Sequence, residues 1–313
     1  MKKIVIVAVT VLVVLFAVGI IKDQVIKSTI TVVATNILGA PVHIDGFSLG
    51  ILTQSVRISG FRIYNPKGFS RGVLIDLPKI KVKYNLFALL KQKIHLVNAE
   101  IELKEMGLEK NAQGQLSVDS LKVVQQQDKA KPAPQLAIQI DTLKLSIGRI
   151  VMKDYSAGKE PAIQVYDLNI SKTYKNITSV QILAALILSE PMKAAGIQGA
   201  KIYGLSMLAG AGILPVAIAA TLVGKDYVEK DFNVAFEKMY EVSSEAVKKL
   251  GKVTKEDKAG GTLSADVSSA AVSLRLKKIS ANKTKVIISA RKYLFPKPEI
   301  ANGVLYEISQ KLK

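Results

Sequence analysis

The stretch Lys79-Ile-Lys-Val-Lys-Tyr84 alternates charged and apolar side chains with a period of two residues. In an extended strand this period places all the apolar side chains on one face and the three lysines on the other: Lys79, Lys81 and Lys83. One face is therefore predicted to pack on an apolar core, and the other to meet water or anions. This strand anchors a predicted sheet that extends along the chain in both directions.

Further strand patterns lie on both sides of this stretch, at residues 41–49, 55–64, 93–103, 136–147 and 162–170. A short helix is predicted at residues 86–91. Residues 125–135 are rich in Gln, Lys and Pro and are predicted to form a linker. We therefore predict an antiparallel β-sheet domain over residues 39–175, interrupted by this linker.

An apolar segment precedes the sheet. Residues 4–21 are eighteen uncharged residues between Lys3 and Lys22, and as a helix they would span about 27 Å, close to a hydrocarbon core. A cleaved signal peptide would have a shorter apolar region and a small-x-small cleavage site, which this segment lacks. We predict an uncleaved transmembrane helix with a helical stalk that ends at Gly39 (residues 1–38), a cytoplasmic N-terminus, and the body outside the cytoplasm.

Residues 176–224 are rich in Gly and Ala and are predicted to form an apolar helical segment. Within them, residues 204–224 carry no charge and are long enough to cross a bilayer. Pro215 and the glycines favour close helix packing or a hairpin at the membrane surface instead. A second span and a buried or interface-lying segment both remain open.

Residues 225–313 are predicted to form a separate two-layer α+β domain. An amphipathic helix is predicted over residues 231–250, followed by antiparallel strands and a last helix that begins at Pro298. The apolar stripe of the first helix consists of Phe232, Phe236, Met239, Ala246 and Leu250. The fold class predicted for the whole chain is α+β.

Composition limits the chemistry. The chain has no cysteine and a formal net charge of +19, which favours anionic partners such as lipid headgroups. Its lysines are dispersed and no nucleic-acid-binding signature is present, so no nucleic-acid partner is predicted. His43 and His95 lack metal-ligand spacing, and no nucleophile or phosphate-loop motif occurs. We predict a protein that is not an enzyme and has no catalytic, cofactor-binding or metal-binding residues.

Four stretches carry a family resemblance: Gly39-Ala-Pro-Val-His-Ile44, Val56-Arg-Ile-Ser-Gly-Phe-Arg-Ile-Tyr-Asn-Pro66, Leu77-Pro-Lys-Ile-Lys-Val-Lys-Tyr84 and Gly114-Gln-Leu116. With them, residues 1–120 resemble the N-terminal part of AsmA-like proteins of Gram-negative envelopes. The resemblance implies an inner-membrane anchor, a periplasmic body and a role in envelope lipid handling, with no catalytic residues to carry over. Residues 226–313 are similar to a family of small Gram-negative lipoproteins of unknown function.

The function predicted from these observations is that of an inner-membrane-anchored periplasmic protein that contacts lipids or supports envelope organisation. Lys79, Lys81 and Lys83 are the candidate contacts to anionic lipid, and the alternative for them is a solvated face or protection of a sheet edge. The alternative function is that of a non-enzymatic assembly or scaffold factor that binds a protein through its C-terminal domain. Candidate partners are membrane lipids, an envelope protein or a second copy of the chain.

Overall fold

The structure is a computed structural model that describes residues 22–91, 93–125, 137–197, 201, 217–220 and 226–313. The predicted anchor at residues 4–21 lies outside these ranges, as do residues 126–135 of the predicted linker. Within the described ranges, no helix combines the length and apolar character needed to cross a bilayer. The described chain is mixed α+β and contains two extensive, mainly antiparallel sheets.

The strands of the first sheet lie in chain order. They are β1 Val42–Gly50, β2 Ser55–Tyr64, β3 Val73–Tyr84, β4 Ile94–Lys110, β5 Ala137–Asp154, β6 Ala162–Ser179 and β7 Ala217–Ala220. Each neighbouring pair is antiparallel except β4 and β5, which are parallel. The prediction of a wholly antiparallel region is wrong at this pair, because the chain crosses back between Lys110 and Ala137 and enters β5 at the end where β4 began.

Four helices and one 3₁₀ turn accompany this sheet in the described residues. They are α1 at residues 22–38, α2 Leu86–Leu90, the 3₁₀ turn Ser117–Ser120, α3 Lys122–Gln125 and α4 Val180–Ala194. Helix α1 ends where predicted, at Gly39, whose φ of 69° is the left-handed conformation that glycine adopts at helix ends. Of the helical segment predicted over 176–224, residues 176–179 end β6 and residues 217–220 form β7, which pairs with β6. Residues 198–200, 202–216 and 221–224 of this segment lie outside the described ranges.

Helix α1 lies beside the edge strand β1. Lys22 Nζ donates to the Leu49 carbonyl oxygen at 2.8 Å, and Asp23 Oδ1 accepts from the Leu49 backbone N–H at 3.2 Å. Further along the strand, Lys27 Nζ donates to the Asp45 carbonyl oxygen at 3.4 Å. Outward-facing backbone groups of β1 are thus paired with helix side chains, which protects this edge from adding another strand.

The alternation of buried and exposed side chains is interrupted half-way along the strands of the first sheet. In β4 the buried residues are Ala99, Ile101 and Leu103, and then Met106 and Leu108, so their parity changes. The pairing of β4 with β5 keeps one constant register through this change, because both strands are interrupted at the same level, whereas the pairing of β5 with β6 shifts between Ile147 and Arg149. The same change occurs in β3 at Pro78 and in β5 at Gly148. The buried residues before and after this position belong to one core, which contains Leu103 with Met106 and Ile147 with Ile150, so the same face of the sheet stays buried along the strands.

The second sheet and two helices form the C-terminal body. Its strands are β8 Tyr227–Phe232, β9 Gly251–Asp257, β10 Thr262–Val267, β11 Ala270–Ser280, β12 Lys283–Lys292 and β13 Phe295–Pro296, and its helices are α5 Phe236–Leu250 and α6 Pro298–Lys311. The strand order is β13-β12-β11-β10-β9, with β8 also paired to β12. The predicted helix at 231–250 is wrong in its first turn, because Phe232 ends β8 opposite Thr284.

Helix α6 joins the two bodies by packing on β6. A Cβ atom at Gly303 would lie 2.1 Å from the Ile163 carbonyl oxygen, so only glycine allows this approach. Beside it, Val151, Ile163 and Val165 form a small buried cluster against Leu250 and Tyr306. This contact covers the face of β5 and β6 that α4 leaves open.

Candidate functional site

The three predicted contact lysines lie together on the exposed face of β3. Lys79, Lys81 and Lys83 are all exposed, and they alternate with Ile80, Val82 and Tyr84, which are half-buried or buried. The alternation therefore predicted the correct face for each side chain of this strand. The side chains next to the three lysines could not be predicted, because they depend on the pairing of β3 with β2 and β4.

The strand register arranges the side chains of this face in three rows that cross the sheet. The row of Lys83 runs Gly50, Ser55, Lys83, Asn98, Thr142, Lys175; the row of Lys81 runs Ser48, Arg57, Lys81, Glu100, Lys144, Thr173; the row of Lys79 runs Gly46, Ser59, Lys79, Glu102, Ser146, Ser171. We call the exposed cations of these rows the cationic face: Arg57, Lys79, Lys81, Lys83, Lys144 and Lys175. Arg57, Lys144 and Lys175 were missed from the sequence because each lies on a different strand.

Positive charge increases along this face toward the row of Lys83. Lys79 lies opposite Glu102 and Lys81 opposite Glu100, so each has a cross-strand carboxylate. Lys83 lies opposite the uncharged Asn98, and its row contains Lys175 and no carboxylate. The row of Lys83 is therefore the part of the face with the strongest attraction for anions. Lys79 and Lys81 fit the alternative of a charge-paired solvated face better than Lys83 does.

This cation-rich end of the sheet is also where the described part of α1 begins. Leu49 precedes Gly50 of the Lys83 row, and both its backbone N–H and its carbonyl oxygen contact the first two described residues, Lys22 and Asp23. Residues before Lys22 therefore join the body beside the row of Lys83. Lys79 lies four residues further from this end of β3, which is roughly 13 Å along a strand.

A polar cleft of about 320 Å³ lies between the first sheet and α6. The Arg149 guanidinium donates to Glu105 Oε2 at 2.5 and 2.8 Å, and it lies 5.4 Å from the centre of the Tyr306 ring. Asp76 has Arg62 at 3.8 Å and Lys104 at 3.9 Å. These charges are engaged with one another, so this arrangement supports the contact between the two bodies more directly than it supports ligand binding.

Both histidines lie in strands, as predicted, and each has a carboxylate neighbour. His43 Nε2 lies 3.1 Å from Asp45 Oδ1, and His95 Nε2 lies 2.8 Å from Asp141 Oδ2. The second pair joins β4 to β5 and could not be found without knowing that these strands are neighbours. Across the described residues, no group of three or more His, Asp or Glu side chains is arranged to hold a metal ion.

The AsmA family model matches residues 1–259, which is most of the chain, so this chain belongs to the AsmA family. Among curated proteins, none matches the chain. Family membership supports an envelope-associated protein.

The family match extends well beyond the 120 residues whose sequence resembles AsmA-like proteins. It includes β5, β6 and β7 and continues through β8 and α5 to the end of β9. The similarity of residues 226–313 to small lipoproteins is not confirmed and stays a prediction.

Proposed function

We propose that this chain is an inner-membrane protein with a single N-terminal span at residues 4–21 and a periplasmic body that contacts anionic lipid headgroups. One observation carries the lipid contact: the row of Lys83, which has two lysines and no carboxylate, lies at the end of the sheet where Lys22 follows the apolar segment. The three predicted lysines then have unequal roles. The proposal assigns no catalytic residue and no cofactor.

The distance from the predicted anchor and the presence of an opposing carboxylate both decide how strongly each lysine attracts headgroups. A lysine near an anionic membrane surface contributes about 1 kcal/mol, and its attraction is screened beyond roughly 8 Å at physiological salt. Lys83 and Lys175 lie in the row beside the predicted anchor, whereas Lys79 lies roughly 13 Å further along β3 and faces Glu102. We therefore assign headgroup contact to Lys83 and Lys175, with Arg57 in the next row.

A vesicle experiment tests both parts of the proposal. The full chain should stay with the membrane after alkaline carbonate extraction, and a chain that begins at Lys22 should be released. That shorter chain, once shown to unfold cooperatively, should bind vesicles containing phosphatidylglycerol. Lys83→Gln with Lys175→Gln should weaken this binding about 30-fold, which corresponds to about 2 kcal/mol.

The matched control is Lys79→Gln, which removes one charge from the same face and should weaken vesicle binding less than about threefold, because Glu102 already opposes Lys79. Equal losses from Lys79→Gln and Lys83→Gln would contradict the ranking. Release of the full chain by carbonate would contradict the anchor.

A second candidate function has support from a different surface. In the C-terminal body, Tyr293, Leu294 and Phe295 are 89%, 85% and 72% exposed, in the turn after β12 and at the first residue of β13. Three consecutive exposed apolar residues on a tight turn are unusual on a protein surface and are typical of a contact for another protein. This turn favours the alternative of an assembly factor that binds a protein partner through residues 225–313.

Crosslinking in cells distinguishes the second candidate from the first. A photoreactive residue at position 294 should give one dominant protein adduct if this turn is a docking site. The triple variant Tyr293→Ser, Leu294→Ser and Phe295→Ser should abolish an adduct formed from a photoreactive residue at Ala271, an exposed position of β11 that lies opposite Arg291. Many weak adducts at position 294, or none, would argue against a protein-docking role.

A further inference from the structure

A group of exposed apolar side chains lies at the same end of the sheet as the row of Lys83. The turn between β1 and β2 contributes Ile51 and Leu52, and α2 contributes Phe87, Leu89 and Leu90. Leu52 is 99% exposed, Phe87 75% and Leu90 73%. We call these five residues the apolar tip.

Three hydrogen bonds hold the two parts of the apolar tip together. The Gln54 carbonyl oxygen accepts from the Tyr84 backbone N–H at 3.0 Å, and Gln54 Oε1 accepts from the Leu86 N–H at 3.1 Å. The buried Tyr84 hydroxyl donates to the Gly50 carbonyl oxygen at 3.3 Å. The turn and α2 are therefore fixed to each other and to the sheet, and they present one surface.

Helix α2 buries none of its side chains fully in the protein core. It consists of Leu-Phe-Ala-Leu-Leu, and none of these residues is buried. Five residues are too few for a helix to be stable by itself in water, yet Asn85 caps this one by accepting from the Ala88 N–H at 3.0 Å. A capped, wholly apolar helix that contacts no core requires another apolar medium to cover it.

We infer that the apolar tip inserts into the interfacial layer of the lipid bilayer, as a second attachment beside the predicted anchor. Three observations select a bilayer over another protein. Lys22, which follows the apolar segment 4–21, contacts Leu49, two residues before Ile51. The exposed cations Lys83, Lys91 and Lys93 border α2 in the sequence and match anionic headgroups. The five residues of the apolar tip carry no charge and no polar group, whereas protein interfaces combine aromatic residues with arginine and polar side chains.

This insertion rests on the proposed anchor and headgroup contact, and it fixes how the body stands on the membrane. With α2 and the turn at residues 51–54 in the interface, the strands of the first sheet point away from the bilayer. The row of Lys83 then lies at headgroup level, and the rows of Lys81 and Lys79 lie successively further out.

The absence of cysteine in the chain allows each site to be labelled singly. Full-length Leu52→Cys and Leu90→Cys, labelled with an environment-sensitive fluorophore, are reconstituted in vesicles of phosphatidylcholine and phosphatidylglycerol. We expect blue-shifted emission and quenching by lipids brominated on their acyl chains. The matched control is Leu294→Cys, an 85% exposed leucine in the C-terminal body, whose label should instead be quenched by iodide in the water.

Three outcomes are informative. Labels at positions 52 and 90 that respond only to iodide, in protein that still resists carbonate extraction, overturn the insertion and leave the anchor intact. Labels at these positions that are shielded from both quenchers indicate that a protein covers the apolar tip. This outcome also overturns the insertion. Release of the full chain from the membrane by carbonate would contradict the proposed function itself.

A second variant tests the insertion of the apolar tip with the fluorophore at a residue other than the two that are changed to glutamate. Leu52→Glu with Leu90→Glu should reduce brominated-lipid quenching of a fluorophore at Phe87→Cys at least fivefold. Unchanged quenching in this variant would overturn the inference. Because these positions are exposed and contact no core, the variant is expected to unfold at the same temperature as the parent chain.

Discussion

Replacement of Glu190 by alanine is expected to lower the free energy of unfolding by about 3–5 kcal/mol. Glu190 lies on α4, is only 8% exposed, and its Oε2 accepts from Lys172 Nζ at 2.7 Å and from the Tyr174 hydroxyl at 2.8 Å. Alanine would leave an ammonium group and a fully buried hydroxyl without their acceptor, under the helix that covers β5 and β6. Urea unfolding followed by circular dichroism measures the loss.

Two controls separate the contribution of the buried ion pair between Glu190 and Lys172 from that of the other groups near Glu190. Lys193 also approaches Glu190, at 3.4 Å, but its side chain is largely exposed, so Lys193→Ala should cost less than about 1 kcal/mol. The double variant Lys172→Met with Glu190→Leu removes both charges together and should be far less harmful than Glu190→Ala alone. A loss below about 1 kcal/mol for Glu190→Ala would show that the ion pair is not buried in solution.

The same carboxylate should make stability depend on acid pH. Burial raises the pKa of Glu190, but the hydrogen bonds from Lys172 and Tyr174 and the charges of Lys172 and Lys193 outweigh it and lower the pKa from its usual 4.5. The stabilisation is therefore complete above the pKa of the unfolded chain and is lost as pH falls through the lower pKa of the folded chain. Glu190→Gln should flatten this acid slope relative to the parent chain.

Replacement of Gly303 by leucine is expected to cost about 3 kcal/mol, the upper part of the range for overpacking. A Cβ atom at Gly303 would lie 2.1 Å from the Ile163 carbonyl oxygen and 2.9 Å from its carbon. These are backbone atoms, so no rotamer change can relieve the contact, and α6 must move away from β6. The movement would also disturb the Lys249–Glu307 ion pair, which is 2.8 Å long.

Calorimetry measures this effect, and we expect the C-terminal body to unfold at a lower temperature than the first sheet in Gly303→Leu. The matched control is Asn302→Ala, a half-exposed neighbour on the same helix, for which a change within about 0.5 kcal/mol is expected. A single transition at the parent temperature in Gly303→Leu would mean that α6 does not pack closely on β6.

Sequence periodicity located the strands, but four of them are longer than predicted. The strand predicted at 79–84 begins at Val73, the one predicted at 93–103 continues to Lys110, the one predicted at 136–147 continues to Asp154, and the one predicted at 162–170 continues to Ser179. In each case the predicted limit lies at or next to the position where the alternation is interrupted. A break in alternation is normally the sign of a strand end, so a continuous strand with an interrupted alternation is misread from sequence.

The candidate site was predictable only within one strand. Lys79, Lys81 and Lys83 could be placed on one face, but their carboxylate partners Glu100 and Glu102 come from the register with β4. The partners across the parallel pair of β4 and β5 could not be inferred at all, because the connection passes through residues 111–136. Phe232 was misassigned because it lies four residues before Phe236, which is helical spacing, although it ends a strand.

The interruption half-way along the strands leaves the sheet with one charged side and one apolar side. On the side of the cationic face, Lys81 and Glu100 lie before the interruption, and Glu105 and Arg149 lie after it. On the other side, Leu143, Leu145, Ile147 and Ile150 belong to one continuous apolar core, and α4 packs on it. A lipid tail travelling along these strands would therefore meet ionised groups on the first side and would have to displace α4 on the second.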